Sequence, residues 1–386
     1  MKNSYFLSQP HQPFFVLAFV NALLSMLLFM LIIKGSVVTD ITASNYHAYA
    51  LIFLVFTPAF LGFLFTTFPR FSSTPPIDPK RYLRILWIFL AGSLLFIMGS
   101  LLSSFFTTIA MIVLFVGHFG AINILLNVYF DSPHEEKHDQ YWILIAFAFG
   151  FLAHFFFLLS TWFPSLHTLA VQMSVYLYLF LVAFSVAQRM IPFFSHCMIK
   201  KDFDLLPKIL VVLLAHVILE NSLPHSSFIA DLVLVYLIGK ELQRWNLPFP
   251  NPNPLMWILH IAVYWIPVAF ILSALTNLIS LTTGNYFLFM DIHTLMLGFL
   301  FTVMIGFGTR VTIGHSGNTM QADKWTTLLF YGTQVVVGMR ILTSLASVSG
   351  WNILVLFNIS VTLWLLFFIA WAVRFFAVLI FGKKFE

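Results

Sequence analysis

The chain has 386 residues, of which 60% are hydrophobic and 9% charged, against about 25% charged for an ordinary soluble domain. With 19 Lys and Arg and 14 Asp and Glu, it cannot coat the surface of a soluble protein of this size. The one cysteine, Cys197, excludes internal disulfides, a four-cysteine iron–sulfur cluster and a thiolate-linked haem attachment, and the net charge of +5 reads as basic loops beside a membrane rather than nucleic-acid binding.

A membrane-spanning helix needs roughly 20 apolar residues. Twelve runs approach that length, at 14–33, 46–68, 83–104, 107–130, 141–162, 167–191, 208–223, 227–243, 255–280, 286–311, 325–346 and 351–380. The first reads as a retained helix, because no small-residue cleavage site follows it. The second opens with His47, the fourth carries His118 and the fifth His154. The seventh and eighth are short and punctuated by His216, Glu220, Asn221 and Asp231. The ninth carries His260, the tenth His293, and His315 follows the tenth. The runs are continuous and do not alternate with period two, which excludes a β-barrel. LGFLFT occurs at 61–66 and 297–302, but in a chain with 47 Phe and with different offsets from the nearby histidines it is not read as a repeat. The expectation is an all-α, polytopic integral membrane bundle of about twelve helices, forming one transmembrane domain over 1–386.

Basic residues set the orientation. With Lys2 in the cytoplasm and alternating crossings, 17 of the 19 basic residues fall inside and only Lys34 and Arg340 outside. Both termini are therefore expected in the cytoplasm, and an odd number of crossings would destroy the asymmetry in the second half.

Polar groups inside a membrane are costly and mark candidate sites. His293 has Met290 and Met296 three residues to either side, and imidazole with thioether suits copper(I); methionine at helical spacing is also ordinary packing. His260 lies between Trp257 and Tyr264, which fits a haem slot or a hydrogen-bonded core histidine. His315 and Arg310 sit at a helix C-terminus, where a cation complements the helix dipole, and Gly314 and Gly317 permit a tight turn there. Arg189, Arg310 and Arg70 read as membrane-face anchors or as partners for haem propionates, since guanidinium matches carboxylate in bidentate fashion. His118 and His154 read as structural, His134 and His138 as solvated in DSPHEEKHD, and His216 with Glu220 as an i,i+4 hydrogen-bonded pair. Glu220, Asp231 and Asp291 all lie toward the outer side, away from the midplane carboxylate common in proton-coupled transporters.

Several stretches resemble the NnrS family, twelve-helix bacterial membrane proteins associated with nitric oxide response and reported to contain haem and copper. PHQPFFVLAF (10–19) resembles the start of the family's first helix, and AQRMIPFFS (187–195) is similar to its Gly-Gly-Arg-Val-Ile-Pro-Phe-Phe-Thr motif. WILHIAVYWIP (257–267) looks like its Trp-x-Leu-His-x-x-Tyr-x-Trp-x-Pro helix, and HTLMLGFLFTVMIGFGTRVTIGHSG (293–317) matches its long signature at many fixed spacings. Where the family carries His-x-His-Glu, this chain reads His47, Ala48, Tyr49, Ala50.

The resemblance implies non-covalent haem b and copper as cofactors, His47, His260, His293 and His315 as metal ligands, and Arg70, Arg189 and Arg310 as cofactor-binding residues. It also implies the bacterial inner membrane as location, the lipid bilayer as surroundings and nitric oxide as ligand, with a quinol or other electron donor as partner. The expected function is nitric oxide response or protection against nitrosative stress by a haem/copper redox protein. The alternative is a multi-pass transporter with structural histidines, which Pro58 and Pro267 in apolar runs would suit; a Soret band in the purified protein separates the two.

Overall fold

The computed structural model describes residues 5–197 and 199–385. Among them there is no β-strand; twelve long helices follow one another. They are α1 (His11–Ile33), α2 (Ala43–Phe71), α3 (Pro79–Leu102), α4 (Ser104–Asp131), α5 (His138–Leu159), α6 (Leu166–Phe194), α7 (Leu205–Ser222), α8 (Phe228–Trp245), α9 (Pro254–Thr283), α10 (Met290–His315), α11 (Lys324–Ser349) and α12 (Ile353–Phe381). Eleven are long and apolar enough to cross a membrane. The exception is α8, which carries Asp231, Lys240, Glu241 and Arg244. The chain is thus a multi-pass, all-α membrane protein, as its composition requires.

Polar loop residues set the helix ends. Thr42, Asp78, Asn253 and Asp323 accept first-turn backbone N–H groups at the starts of α2, α3, α9 and α11, which satisfies donors that a helix cannot pair internally. Pro79 and Pro254 stand in first turns, where the missing N–H costs nothing. Gly284 and Gly350 end α9 and α11 at positive φ of 74° and 72°, a conformation open to glycine.

Three helices depart from regular α geometry. A wide π turn runs over Ala50–Phe56 in α2, Met173–Phe180 in α6 and Leu295–Phe301 in α10. Thr57 and Thr302 donate their hydroxyls five residues back, to the carbonyls of Ile52 (2.8 Å) and Leu297 (3.0 Å). The π turns recur every fourth helix and fall in the three most enclosed spans. Such turns gather at functional sites. The LGFLFT copies do not correspond within this pattern: 61–66 follows the π turn of α2, whereas 297–302 runs through that of α10.

The chain divides into two compact units. Unit 1 comprises 1–174, 308–320 and 368–386. Within it α3 and α4 are joined through the extended Ser103 (φ −169°, ψ 159°), and a Cβ on Gly99 would lie 2.9 Å from the backbone of Phe106 and Thr107. Backbone cannot retreat as a side chain can, so Gly99→Ala is expected to cost about 1–3 kcal/mol by overpacking, read as a lowered midpoint of unfolding in mixed micelles. Unit 2 comprises 175–307 and 321–367. Gly298 there lies against the Trp265 ring, whose Nε1 donates to Gln334 Oε1 at 2.8 Å.

Candidate metal centre

In unit 1 the end of α10 is anchored where Trp371 Nε1 donates to Thr309 Oγ1 at 3.1 Å and the Trp371 ring stacks on Phe19 at 3.9 Å. Farther along, the Phe385 amide donates to Asn318 Oδ1 at 2.8 Å. These ties hold His315 beside His11, the first residue of α1, with ring centroids 4.9 Å apart. His11 is buried and His315 half-buried.

Each ring is oriented by an oxygen at Nδ1. His315 Nδ1 donates to the Val311 carbonyl at 3.0 Å. His11 Nδ1 faces Thr66 Oγ1 at 3.5 Å, and that hydroxyl donates onward to the Gly62 carbonyl at 2.8 Å. Both imidazoles therefore present an Nε2 lone pair, and His315 Nε2 is buried without a hydrogen-bond partner among the described residues. A fixed Nδ1–H with a bare Nε2 is the arrangement that prepares a histidine for a metal. A Cβ on Gly314 would lie 2.7 Å from Met320 Cε, so Met320 covers the residue before His315. Two neighbouring imidazoles are donors that suit copper. The ring separation leaves no room for a porphyrin between them. Arg70 lies within electrostatic range of both rings, and Arg310 stands half-buried five positions before His315 in α10.

The other expected ligands sit elsewhere. His47, also in unit 1, stacks on Phe29 at 4.2 Å. In unit 2 His260 is buried, bonded at Nε2 to Ser195 Oγ at 2.8 Å and reached by the Pro248 carbonyl. Arg189, exposed, precedes Ser195 in the same segment. His293 Nδ1 faces the Phe289 carbonyl at 2.8 Å and an Arg340 guanidinium N–H at 3.1 Å. Among the described residues no three His, Cys, Asp or Glu side chains converge to hold a metal. The structure thus gathers His315 and Arg70, and adds His11, which the sequence did not single out.

Two further expectations are corrected. His216 pairs across helices with Asp231 rather than with Glu220 along α7: His216 Nδ1 and Asp231 Oδ1 lie 2.7 Å apart, both fully buried. Glu220 instead accepts from Ser227 Oγ at 2.9 Å and the His225 amide at 3.1 Å. His138 is half-buried rather than solvated, with its Nε2 accepting from Trp142 Nε1 at 3.1 Å.

Comparison with protein families adds one finding. The NnrS protein family model matches residues 5–381. The chain belongs to the NnrS family. No curated protein matches it significantly. The family match covers nearly the whole chain, so α1 with His11 and α10 with His315 both fall within the NnrS region.

Proposed function

We propose that this NnrS-family membrane protein holds copper and haem b and binds or processes nitric oxide, as part of nitric oxide response or protection from nitrosative stress. The supporting observation is the pair of neighbouring imidazoles of His11 and His315, donors whose chemistry suits copper. Support for haem comes from family membership rather than from this pair. Arg70, Arg310 and, in unit 2, Arg189 are the candidate guanidiniums that would pair with its propionates. His47, His260 and His293 are the remaining candidate ligands. Haem iron, when bound, supplies an open coordination position for nitric oxide, a small uncharged molecule that partitions into lipid. The chain's own residues would orient the metals and exclude water around them. A quinol or another donor in the bilayer would supply electrons.

The experiment is metal and pigment analysis of protein purified from haem- and copper-replete cells. Acid–acetone should extract the haem, because no cysteine-based attachment exists. Colourless, copper-free protein would favour the transporter reading.

We further propose that both termini face the cytoplasm of the bacterial inner membrane. A reporter fused after residue 386 should read cytoplasmic, and one within 284–289 periplasmic. A periplasmic C-terminus would refute twelve crossings.

A further inference from the structure

Within unit 1 a second group of titratable side chains lies fully buried: Tyr49 in α2, His118 in α4 and His154 in α5. Tyr49 Oη lies 2.6 Å from His154 Nε2, and His154 Nδ1 lies 3.4 Å from His118 Nδ1. Phe53 stacks on the His154 ring at 3.8 Å, Phe96 stacks on Tyr49 at 4.7 Å, and Phe115 meets His154 edge-on at 5.4 Å. The surroundings are aromatic and closed to solvent.

The bonding order is decisive. Three donors to one metal would each turn an atom toward a common point. Here Tyr49 and His118 sit on opposite nitrogens of His154, which makes a series and not a chelate. With the phenol donating to Nε2, His154 carries its own proton on Nδ1 and offers it to His118. A proton entering one side of the His154 ring can leave from the other. Burial matters for the same reason. A phenol that loses an electron becomes a strong acid, and a charged radical in an apolar box is heavily penalised. The imidazole at 2.6 Å takes that proton, so the phenoxyl is left neutral and the charge rests on imidazole, a far weaker acid than the oxidised phenol.

We propose that Tyr49 is a redox-active tyrosine. In the forward step one electron leaves the phenol for an oxidant. The phenol proton binds His154 Nε2, and the Nδ1 proton of His154 moves to His118 Nδ1. The products are a neutral phenoxyl radical on Tyr49, a neutral His154 and a cationic His118. Re-reduction returns the electron and reverses both proton movements. The oxidant is a lipid-soluble nitrogen-oxide radical, nitrogen dioxide, which takes the electron and becomes nitrite. That choice of oxidant rests on the nitric oxide reading; the tyrosine chemistry does not.

The test is electron paramagnetic resonance on purified protein oxidised by photogenerated tris-bipyridine ruthenium(III), with ring-deuterated tyrosine to identify a phenoxyl signal. The wild-type protein should form the radical, and more slowly in D2O. Tyr49→Phe, which keeps the ring packing, should lose most of it. His154→Gln keeps a hydrogen-bond acceptor but no base, and should slow radical formation about 100-fold, the usual worth of a positioned base. A full signal in Tyr49→Phe, or the same rate in His154→Gln and in D2O, would overturn the proposal. In a second arm, nitrogen dioxide replaces ruthenium. If ruthenium gives the radical and nitrogen dioxide does not, the oxidant assignment is overturned while the redox tyrosine stands.

Discussion

His315→Leu and His11→Leu are each expected to lower copper(I) affinity by about 100-fold or more, since even outer-shell changes at metal sites cost 10–100-fold. Competition with a chromophoric copper(I) chelator measures this directly. The effect is large because each imidazole is held by its own anchor, Val311 O or Thr66 Oγ1, and the loss of one leaves a lone imidazole. Met320→Leu should cost less, because Met320 is exposed and its side chain is not fixed by hydrogen bonds. His134→Ala should change nothing, as that ring is exposed and meets Ser73 Oγ at 2.8 Å. Equal affinity in wild type and His315→Leu would remove His315 from the site.

The second large effect is on stability. Asp231 in α8 is fully buried and engaged on both oxygens, by His216 Nδ1 at 2.7 Å and by Ser273 Oγ at 2.7 Å. Asn277 Nδ2 extends the network to Ser227 Oγ at 3.0 Å, and the Tyr176 ring packs on His216 at 4.2 Å. Removing one member of a buried pair strands the other. Asp231→Leu or His216→Leu alone should therefore cost about 3–5 kcal/mol. The double variant should be less destabilised than either single one, because a buried pair replaced by apolar groups is often close to neutral. Unfolding by titration with SDS in mixed micelles gives the comparison. Strict additivity would show that the two side chains do not act as a pair.

The helices were legible because apolar length is a local property. The expected second, sixth and tenth runs correspond to α2, α6 and α10 within a few residues. Their π turns were not legible, since no composition rule separates ALIFLVF in π form from the same residues in an α-helix. The status of α8 followed from charge, which the sequence displays.

The site was legible only in part. His315 and Arg70 were visible as residues, but their shared neighbour His11 lies 304 positions away along the chain from His315. One signal was available: a histidine at the first position of an apolar helix stands at the positive end of the dipole, where the imidazolium is disfavoured and the neutral, ligating form is favoured. His216 and Glu220 share a face of α7, and that spacing suggested a bond which tertiary packing gave to Asp231 instead. Tyr49 was visible as a departure from the family pattern, while its bond to His154 depends on α2 and α5 meeting.

The central claim is that a haem- and copper-containing NnrS-family protein meets nitric oxide in the membrane. Its most direct test is an optical difference spectrum of purified, dithionite-reduced protein before and after nitric oxide, with copper quantified on the same sample. The expected result is a Soret band that shifts on adding nitric oxide, together with copper that His315→Leu removes. Protein without a Soret band, or one whose spectrum nitric oxide leaves unchanged, would contradict it.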